Sequence, residues 1–387
     1  MRRLVIIAIT MVVIIALVMA GSFILFMNPR TPNGFEVSSL RAPTIVIESP
    51  VERVHHTGSN GNSPVNLGLN WTITPIYAGY GGVIDITAMN YESTQVYVYA
   101  VGLSWKGTSI ETWRNVSVTI SGYQHASLGM LFFKAPANIT GGYYSIKLKA
   151  EVKVSGGIGW NDIGAYKITE DRYAEIVKPL TYLDHTTATN TPVYYSKVNK
   201  RIDMGATQTI VSNILTNNSN IYSIQAVADA FDWVRDHIVY TNDPNDYWQS
   251  ATETLSWRTG DCEDYAILLA SMIDQMGGNA RVNIIDGHAF ATVFVGSDAS
   301  VIGNVTEAIS SHYQTDVPVH FLNDTTGYWM VIDPTGFPYA GGLATLSGPV
   351  LYNANHNWSF DSSTWLSQVD ATGSTEDTGL FPFQTKL

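Results

Sequence analysis

Residues 67–170 alternate between apolar and polar positions with a period of two. Runs such as 83–87, 96–101 and 116–120 follow this alternation, and clusters of Gly, Pro or Asn separate them. Regular turn signals between short alternating runs predict an all-β, immunoglobulin-like sandwich. The stretch contains no grouping of catalytic residue types, so we interpret its Tyr and Trp residues as packing residues.

Residues 204–346 carry a mixed pattern of helical and strand periods. After Ser223, a suitable N-cap, apolar residues recur at three- and four-residue spacing as far as position 238. A second helix is predicted from Cys262 to Met276, where two glycines end it. Strands are predicted over 280–285, 289–295, 317–322 and 328–332.

The N-terminus is apolar and uncharged from Leu4 to Asn28. About 20 apolar residues suffice to cross a bilayer as a helix, so residues 1–29 are predicted to be a transmembrane signal-anchor. Arg2 and Arg3 precede it, which predicts that the remainder of the chain lies outside the cytoplasm. A signal peptide cleaved near Ala20 is the alternative, but the apolar run continues beyond that site.

The length of 387 residues suggests two folded domains with connecting segments. Pro, Ser, Asn and Gly are frequent over 30–66, which predicts a linker. A second linker is predicted over 171–203, and an irregular tail over 347–387. The sandwich would then occupy 67–170 and the mixed domain 204–346.

Composition narrows the classes of function. The chain is 45% hydrophobic, which excludes general disorder, and its net charge of −12 argues against a nucleic-acid partner. A single cysteine excludes an internal disulfide or a thiolate zinc cluster, and we expect neither a metal nor a cofactor. Seven Asn-x-Ser/Thr triplets are compatible with an extracellular glycoprotein. They begin at Asn70, Asn115, Asn138, Asn217, Asn304, Asn323 and Asn357.

The lone cysteine, Cys262, stands at the predicted start of a largely apolar helix. A helix N-terminus stabilises a thiolate. Asp261, Glu263 and Asp264 surround the cysteine and oppose that effect, so the thiolate needs a positive or hydrogen-bonding partner. We interpret Glu263 and Asp264 as stabilisers of the helix N-terminus, one of which could pair with Arg281.

Two further residues complete a catalytic pattern. His288 begins one apolar strand, and Asp333 ends another. Cysteine, histidine and aspartate in this order fit a nucleophile, a base and a residue that orients the base. The remaining histidines lack a comparable setting.

This region resembles the transglutaminase-like superfamily, relatives of papain-type cysteine enzymes. The resemblance rests on the run from Trp248 to Asp264 with its Gly-Asp-Cys-Glu-Asp core, then on Gly-His-Ala and Ile-Asp-Pro around His288 and Asp333. It covers about 225–340 and implies the triad Cys262, His288 and Asp333 in an α+β domain with an antiparallel sheet. Two features depart from the family: Phe290 stands where Trp is common, and residues 297–326 are inserted between the histidine and aspartate strands, as a lid or a surface excursion.

The oxyanion hole is expected to use the backbone N–H of Cys262. A second donor is predicted from the side chain of Trp248 or Gln249, although Trp248 could equally be a packing residue. Asp261 and Asp264 are predicted to support the site.

The predicted function is acyl transfer through a thioester on protein or peptide amides at the cell surface. Hydrolysis is favoured over crosslinking to an amine, because nothing in the sequence indicates a tunnel that would shield a thioester from water. The alternative class is a surface-binding module without enzymatic activity. The anchor, the lack of disulfides and the many glycosylation triplets fit a prokaryotic surface protein, with an archaeal source among the options.

Overall fold

The computed structural model describes eight parts of the chain: 39–47, 65–176, 186–189, 192–285, 287–343, 350–352, 357–359 and 365–373. The first large part, 65–176, consists of two antiparallel sheets. One sheet has the order β1 (Leu67–Ile73), β2 (Gly82–Asn90), β5 (His125–Phe133). The other has the order β4 (Glu111–Ile120), β3 (Val96–Trp105), β6 (Gly141–Lys153), β7 (Trp160–Lys167), and β8 (Arg172–Glu175) also pairs with β6.

The alternating apolar positions of these strands form one core between the two sheets. On β2, for example, Ile84, Ile86 and Ala88 are all fully buried. Side chains from both sheets belong to the same hydrophobic cluster. The period-two pattern thus forms a two-sheet packing because every second side chain points inward.

The second half contains six helices in the described residues. They are α1 (Pro192–Asn199), α2 (Met204–Asn217), α3 (Ile224–His237), α4 (Ala251–Trp257), α5 (Cys262–Gln275) and α6 (Val301–His312). Ser223 caps α3 by accepting a hydrogen bond from the Ala226 N–H, as predicted. Residues 263–273 of α5 are all buried, because this helix packs on the sheet and also contacts α2, α3 and α4.

An eight-stranded sheet supports these helices. Its strands are β9 (Thr186–Thr189), β12 (Ala280–Ile285), β13 (His288–Gly296), β14 (Phe321–Asp324), β15 (Gly327–Ile332), β16 (Val350–Tyr352), β17 (Asn357–Ser359) and β18 (Trp365–Asp370). Their order is β17-β16-β14-β15-β13-β12-β18-β9. A separate parallel pair, β10 (Val239–Tyr240) and β11 (Thr259–Gly260), leads directly into α5.

The predicted fold class needs correction. The structure is a mixed α/β arrangement of helices and several sheets, and the large sheet is not purely antiparallel, because β9 and β18 run parallel. The longest helices of the described part have 14 residues, well short of the ~20 that span a bilayer. No described helix is long and apolar enough to cross a membrane. The span predicted over 1–29 lies outside the described residues.

Strands and one helix also occur where the sequence predicted none. β8, β9 and the helix α1 lie in the predicted linker 171–203, and β16, β17 and β18 lie in the tail predicted to be irregular. The strands form because they pair with strands distant in sequence, such as β18 with β12. The inserted segment 297–326 contains α6, whose Val305 and Ala308 are fully buried in the main core, so this helix is a packed part of the domain. The domain boundaries themselves stay a prediction.

Candidate active site

Asp264 anchors the loop before α5 to the first turn of that helix. Its carboxylate accepts the backbone N–H of Gln249 at 2.7 Å and that of Asp261 at 3.2 Å. Burial raises the pKa of Asp264 to about 6, and the two backbone hydrogen bonds act against that rise. Asp264 therefore ties the loop at Gln249 to the residue that precedes the cysteine, and its supporting role in the site stays a prediction.

The thiol of Cys262 donates to the carboxylate of Glu263, with 3.2 Å between Sγ and Oε2. Burial, followed by the negative charge of Glu263, raises the pKa of the thiol well above its usual value. One interaction opposes this: the backbone N–H of Ala289 donates to the sulfur. Burial and, after it, the acidic neighbours therefore favour the protonated thiol and outweigh the helix N-terminus.

Glu263 is itself buried, with 6% of its surface exposed. Burial is the main cause that raises its pKa, and the nearby Asp261 adds to the rise. The Oδ1 atom of Asp261 is also buried and has no hydrogen-bond partner among the described residues. The start of α5 therefore concentrates negative charge around the cysteine.

The histidine and the aspartate form a direct pair. His288 Nε2 lies 2.8 Å from Asp333 Oδ2, and both side chains are buried. The other oxygen, Oδ1, accepts the hydroxyl of Thr335 at 2.6 Å and its backbone N–H at 3.1 Å. A carboxylate on Nε2 holds the ring proton there, which leaves the lone pair of the neutral ring on Nδ1.

Cys262 and His288 lie on neighbouring elements. β13 begins at His288, and the next residue, Ala289, donates its backbone N–H to the sulfur of Cys262. The structure thus brings together the cysteine at the start of a helix and the histidine at the start of a strand, 26 residues apart in sequence. Asp333 joins them because β15 pairs with β13.

A cleft of about 490 Å³ opens beside His288. Its lining consists of Arg235, Ile238, Tyr240, Tyr265, Gly287, His288, Pro334 and Thr335. Tyr240 is 52% exposed, and its pKa is raised by burial and then by the charges of Cys262 and Asp261. Sequence analysis missed both Tyr240 and Thr335. The Asp-Pro-Thr sequence was an available signal for Thr335, because an aspartate commonly accepts hydrogen bonds from the residue two positions later.

The two residues predicted as oxyanion donors have different surroundings. The indole N–H of Trp248 donates to Asp246 at 3.0 Å, and its ring stacks on Tyr194 with Lys197 above it. Trp248 is therefore a packing residue. Gln249 is buried, and its side-chain Oε1 has no hydrogen-bond partner among the described residues. As the first residue of α5, Cys262 has a backbone N–H that lacks an acceptor within the helix.

The suggested pairing of Arg281 with the acids of α5 is wrong. Arg281 Nε donates to Asp370 at 2.6 Å, and its Nη1 pairs with Asp324. Asp370 lies on β18, which neighbours β12, and Asp324 ends β14, which β15 and β13 separate from β12 in the sheet.

Two groups of three side chains in the described part place possible metal-donor atoms within 4.8 Å of one another. One is Asp261, Cys262 and Glu263, and the other is Asp229, Asp232 and His312. In the second group His312 bonds Asp232 at 3.0 Å, and Arg235 also pairs with Asp232. The protein therefore balances much of the charge of that group itself, and we assign it no metal.

A comparison with known protein families finds a match over the segment that contains the candidate site. The family profile of the transglutaminase-like superfamily matches residues 208–334. No curated protein matches the sequence.

Three solved structures share low identity with the chain. A protein from Archaeoglobus fulgidus is 12% identical, with a TM-score of 0.19, and the match covers 30% of this chain and 100% of that one. The sporulation control protein Spo0M from Bacillus subtilis is 9% identical, with a TM-score of 0.18, covering 31% and 51%. A candidate cysteine protease from Cytophaga hutchinsonii is 11% identical, with a TM-score of 0.25, covering 79% and 92%.

These structural similarities are too low to support a functional argument. The profile match covers the segment that holds Cys262, His288 and Asp333. Residues 208–334 are thus similar to the transglutaminase-like superfamily, and this similarity supports a cysteine-dependent hydrolase or transferase.

Proposed function

We propose that this protein hydrolyses amide bonds of protein or peptide substrates, with Cys262 as the nucleophile. The observation that carries the proposal is the pair of contacts around His288. Asp333 Oδ2 lies 2.8 Å from Nε2, and the backbone N–H of Ala289, the residue after His288, lowers the pKa of the Cys262 thiol. A histidine oriented by a carboxylate beside a cysteine is suited to move the proton of that cysteine.

In the proposed reaction the carbonyl carbon of the substrate approaches Cys262. The thiol leaves Glu263 and gives its proton to Nδ1 of His288 as sulfur bonds to the carbonyl carbon. The resulting oxyanion accepts the backbone N–H of Cys262, with the side-chain amide of Gln249 as a second donor. When the C–N bond breaks, His288 returns the proton to the leaving amine, and a thioester remains on the cysteine.

Water then completes the reaction. It attacks the thioester, gives a proton to His288 and releases the carboxylic acid, after which the proton returns to the sulfur. The cleft is bordered by the half-exposed Tyr240 and by the exposed Gly287, so water can enter it. This favours hydrolysis over transfer to an amine, which requires water to be kept away from the thioester.

The apolar and aromatic residues of the cleft support a peptide substrate. Ile238, Tyr265 and Pro334 offer apolar surface beside His288, which suits an apolar or aromatic side chain next to the bond that is cleaved. The negative charge of the first turn of α5 disfavours an acidic residue at the same place.

The proposal is tested by incubating the full chain with a library of blocked peptides and analysing products by mass spectrometry, with and without a primary amine. We expect peptide cleavage that is lost in Cys262→Ser and an acyl-enzyme adduct on Cys262. Incorporation of the amine in place of cleavage would favour transfer. Absence of both in the wild type would contradict the proposal and favour a binding module, for which the raised pKa of the thiol is the supporting observation.

A further inference from the structure

A tight turn of the sandwich inserts two tyrosines into the second half of the molecule. The turn, residues 77–81, is closed by backbone hydrogen bonds between Tyr77 and Gly81 at 2.9 and 2.8 Å. Gly81 has a φ of 130°, and a Cβ there would lie 1.8 Å from the carbonyl oxygen of Phe133. Only glycine fits at this position, so the backbone that presents Tyr77 and Tyr80 is rigidly specified.

Tyr80 belongs to the core of the second half although it comes from the sandwich. It is 6% exposed, and its hydroxyl lies 3.3 Å from Nε2 of His320. Tyr77 stacks on Phe337, with 6.3 Å between ring centroids and an angle of 19° between planes. The first contact reaches His320, which precedes Asp333 in the chain, and the second reaches the segment that follows Asp333.

His320, which contacts Tyr80, is hydrogen-bonded to the strand that precedes Asp333. Its Nδ1 lies 3.0 Å from the carbonyl oxygen of Gly341, so Nδ1 carries the proton and Nε2 accepts from the hydroxyl of Tyr80. Burial lowers the pKa of His320 to about 4, which keeps the ring neutral near pH 7. The backbone of Val331 bonds both His320 and Gly341, at 3.0 and 2.8 Å. Val331 lies two residues before Asp333.

The contact between Tyr77 and Phe337 holds the loop that follows Asp333. Residues 333–341, here called the aspartate loop, run from Asp333 to the glycine that bonds Val331. Arg235 holds one side of the loop by donating to the Pro338 carbonyl at 2.6 Å. Phe337, which is 2% exposed, meets Tyr77 on the side of the sandwich. The loop therefore has one support from each half of the molecule.

We propose that Tyr77 and Tyr80 are positioning residues, through which the sandwich keeps the carboxylate of Asp333 on Nε2 of His288. This inference rests on the proposed function and gives the sandwich a role in it. The carboxylate must stay at hydrogen-bond distance to hold the ring in one tautomer. A displacement of about 1 Å can cost on the order of 100-fold in rate.

The test compares Tyr80→Phe and Tyr77→Leu with the wild type in the full chain. Tyr77→Phe keeps the stacked ring and is the conservative variant, whereas Tyr173→Phe alters an exposed tyrosine on β8 of the sandwich and is the control. Each protein is examined for kcat and KM, for thermal unfolding, and for the ¹⁵N side-chain NMR signals of His288. The His288→Ala spectrum identifies those signals, which distinguish a proton on Nε2 from one on Nδ1.

We expect Tyr77→Leu and Tyr80→Phe to lower kcat about tenfold, within the range for a misplaced group, with KM nearly unchanged. The His288 signals should move towards those of Asp333→Asn, while Tyr77→Phe and Tyr173→Phe resemble the wild type. Unchanged His288 signals in both variants would overturn the inference, even if kcat fell, because the effect would then be one of general stability.

The NMR measurement also separates this inference from the proposed function. If the wild type shows no Cys262-dependent turnover, the proposed function fails. The signals of His288 still report whether Tyr77 and Tyr80 hold Asp333 in place. Should Tyr80→Phe fail to fold, Tyr77→Leu and its matched Tyr77→Phe variant decide the outcome.

Discussion

The candidate site has two sides, one on a helix and one on strands, and both contain buried carboxyl groups. The two sides differ in how these carboxyl groups are paired with hydrogen-bond donors. The helix wall, Cys262 with Glu263 and Asp264, places a thiol and carboxylates together, and burial raises the pKa of each. In the strand wall, His288 with Asp333 and Thr335, both carboxylate oxygens have hydrogen-bond donors. The strand wall thus holds its carboxylate in a fixed position before substrate binds, whereas the helix wall disfavours the thiolate form of Cys262.

This difference indicates how the site would control reactivity. Because burial and Glu263 favour the protonated thiol, the sulfur would become nucleophilic only when His288 removes its proton during attack. His288 must therefore activate the cysteine as a base, because burial and the carboxylate of Glu263 outweigh the effect of the helix N-terminus on the thiol. The following predictions test each wall in turn.

The largest effect is expected from Asp333→Asn in the strand wall. The amide can hold the ring in the wrong tautomer, so kcat should fall on the order of 1,000-fold, as measured by peptide cleavage. Asp232→Asn is the comparison: Asp232 lies 3.0 Å from Nε2 of His312 and also pairs with Arg235, so this variant should lower kcat only a few-fold through the aspartate loop. A similar loss in both variants would mean that Asp333 has no special role.

The next largest effect should come from the loop held by Asp264. If the amide of Gln249 donates to the oxyanion, Gln249→Ala should lower kcat about 100-fold with little change in KM. Trp248→Phe should stay within about threefold, because its indole N–H already donates to Asp246. The reverse ranking, found by steady-state kinetics, would assign the second donor to Trp248.

In the helix wall, we expect a substitution of Glu263 to make the thiol of Cys262 more reactive. Glu263→Gln removes a negative charge but keeps an oxygen that can accept the thiol, so the pKa of Cys262 should fall. Alkylation by iodoacetamide near pH 7 should then accelerate about tenfold for each pKa unit removed. Asp274→Asn, a buried carboxylate elsewhere on α5 with a raised pKa, is the comparison and should leave the rate unchanged. Slower alkylation of Glu263→Gln would show that the carboxylate assists the thiol.

A smaller loss is expected from Thr335→Val. The variant removes one hydrogen bond to the carboxylate of Asp333 and keeps the backbone bond, so kcat should fall about fivefold. Thr335→Ser restores the hydroxyl and should restore the rate. If Ser behaves like Val in the kinetic assay, the hydroxyl is not what holds the carboxylate.

The smallest expected effect is a pH-dependent difference in stability. Glu263 has a raised pKa when folded, so between its ordinary value of 4.5 and that raised value the folded chain binds more protons than the unfolded one. The wild type should therefore lose more stability than Glu263→Gln as pH rises through this window, because the variant keeps only the contributions of other carboxyls such as Asp264. Denaturant unfolding should show the variant more stable by on the order of 1 kcal/mol above the window and equal near pH 4. A constant difference at all pH values would contradict this origin.

Local signals in the sequence identified the elements that carry the site. The Ser223 cap and the spacing of apolar residues located α3, and the acidic turn before an apolar run located the start of α5. β12 has the predicted bounds, and β13 begins one residue before the predicted strand. These features depend on residues that are neighbours in the chain, which is why pattern alone sufficed.

Features that depend on distant residues were missed or wrong. The partner of Arg281 is Asp370, 89 positions away on a strand that the sequence predicted to be irregular. The contact of Tyr80 with His320 spans 240 positions.

One local feature was also missed. Asp246 lies only two residues from Trp248 and accepts its indole N–H, which sequence analysis overlooked.

The most direct test of the central claim is the rate at which a thiol-directed peptide electrophile labels Cys262. This is the only cysteine of the chain, so the label reports one site without further mutation. We expect labelling of the wild type to be at least about 100-fold faster than that of His288→Ala, with His312→Ala equal to the wild type. Slow labelling that is the same in all three proteins would contradict an activated nucleophile at Cys262.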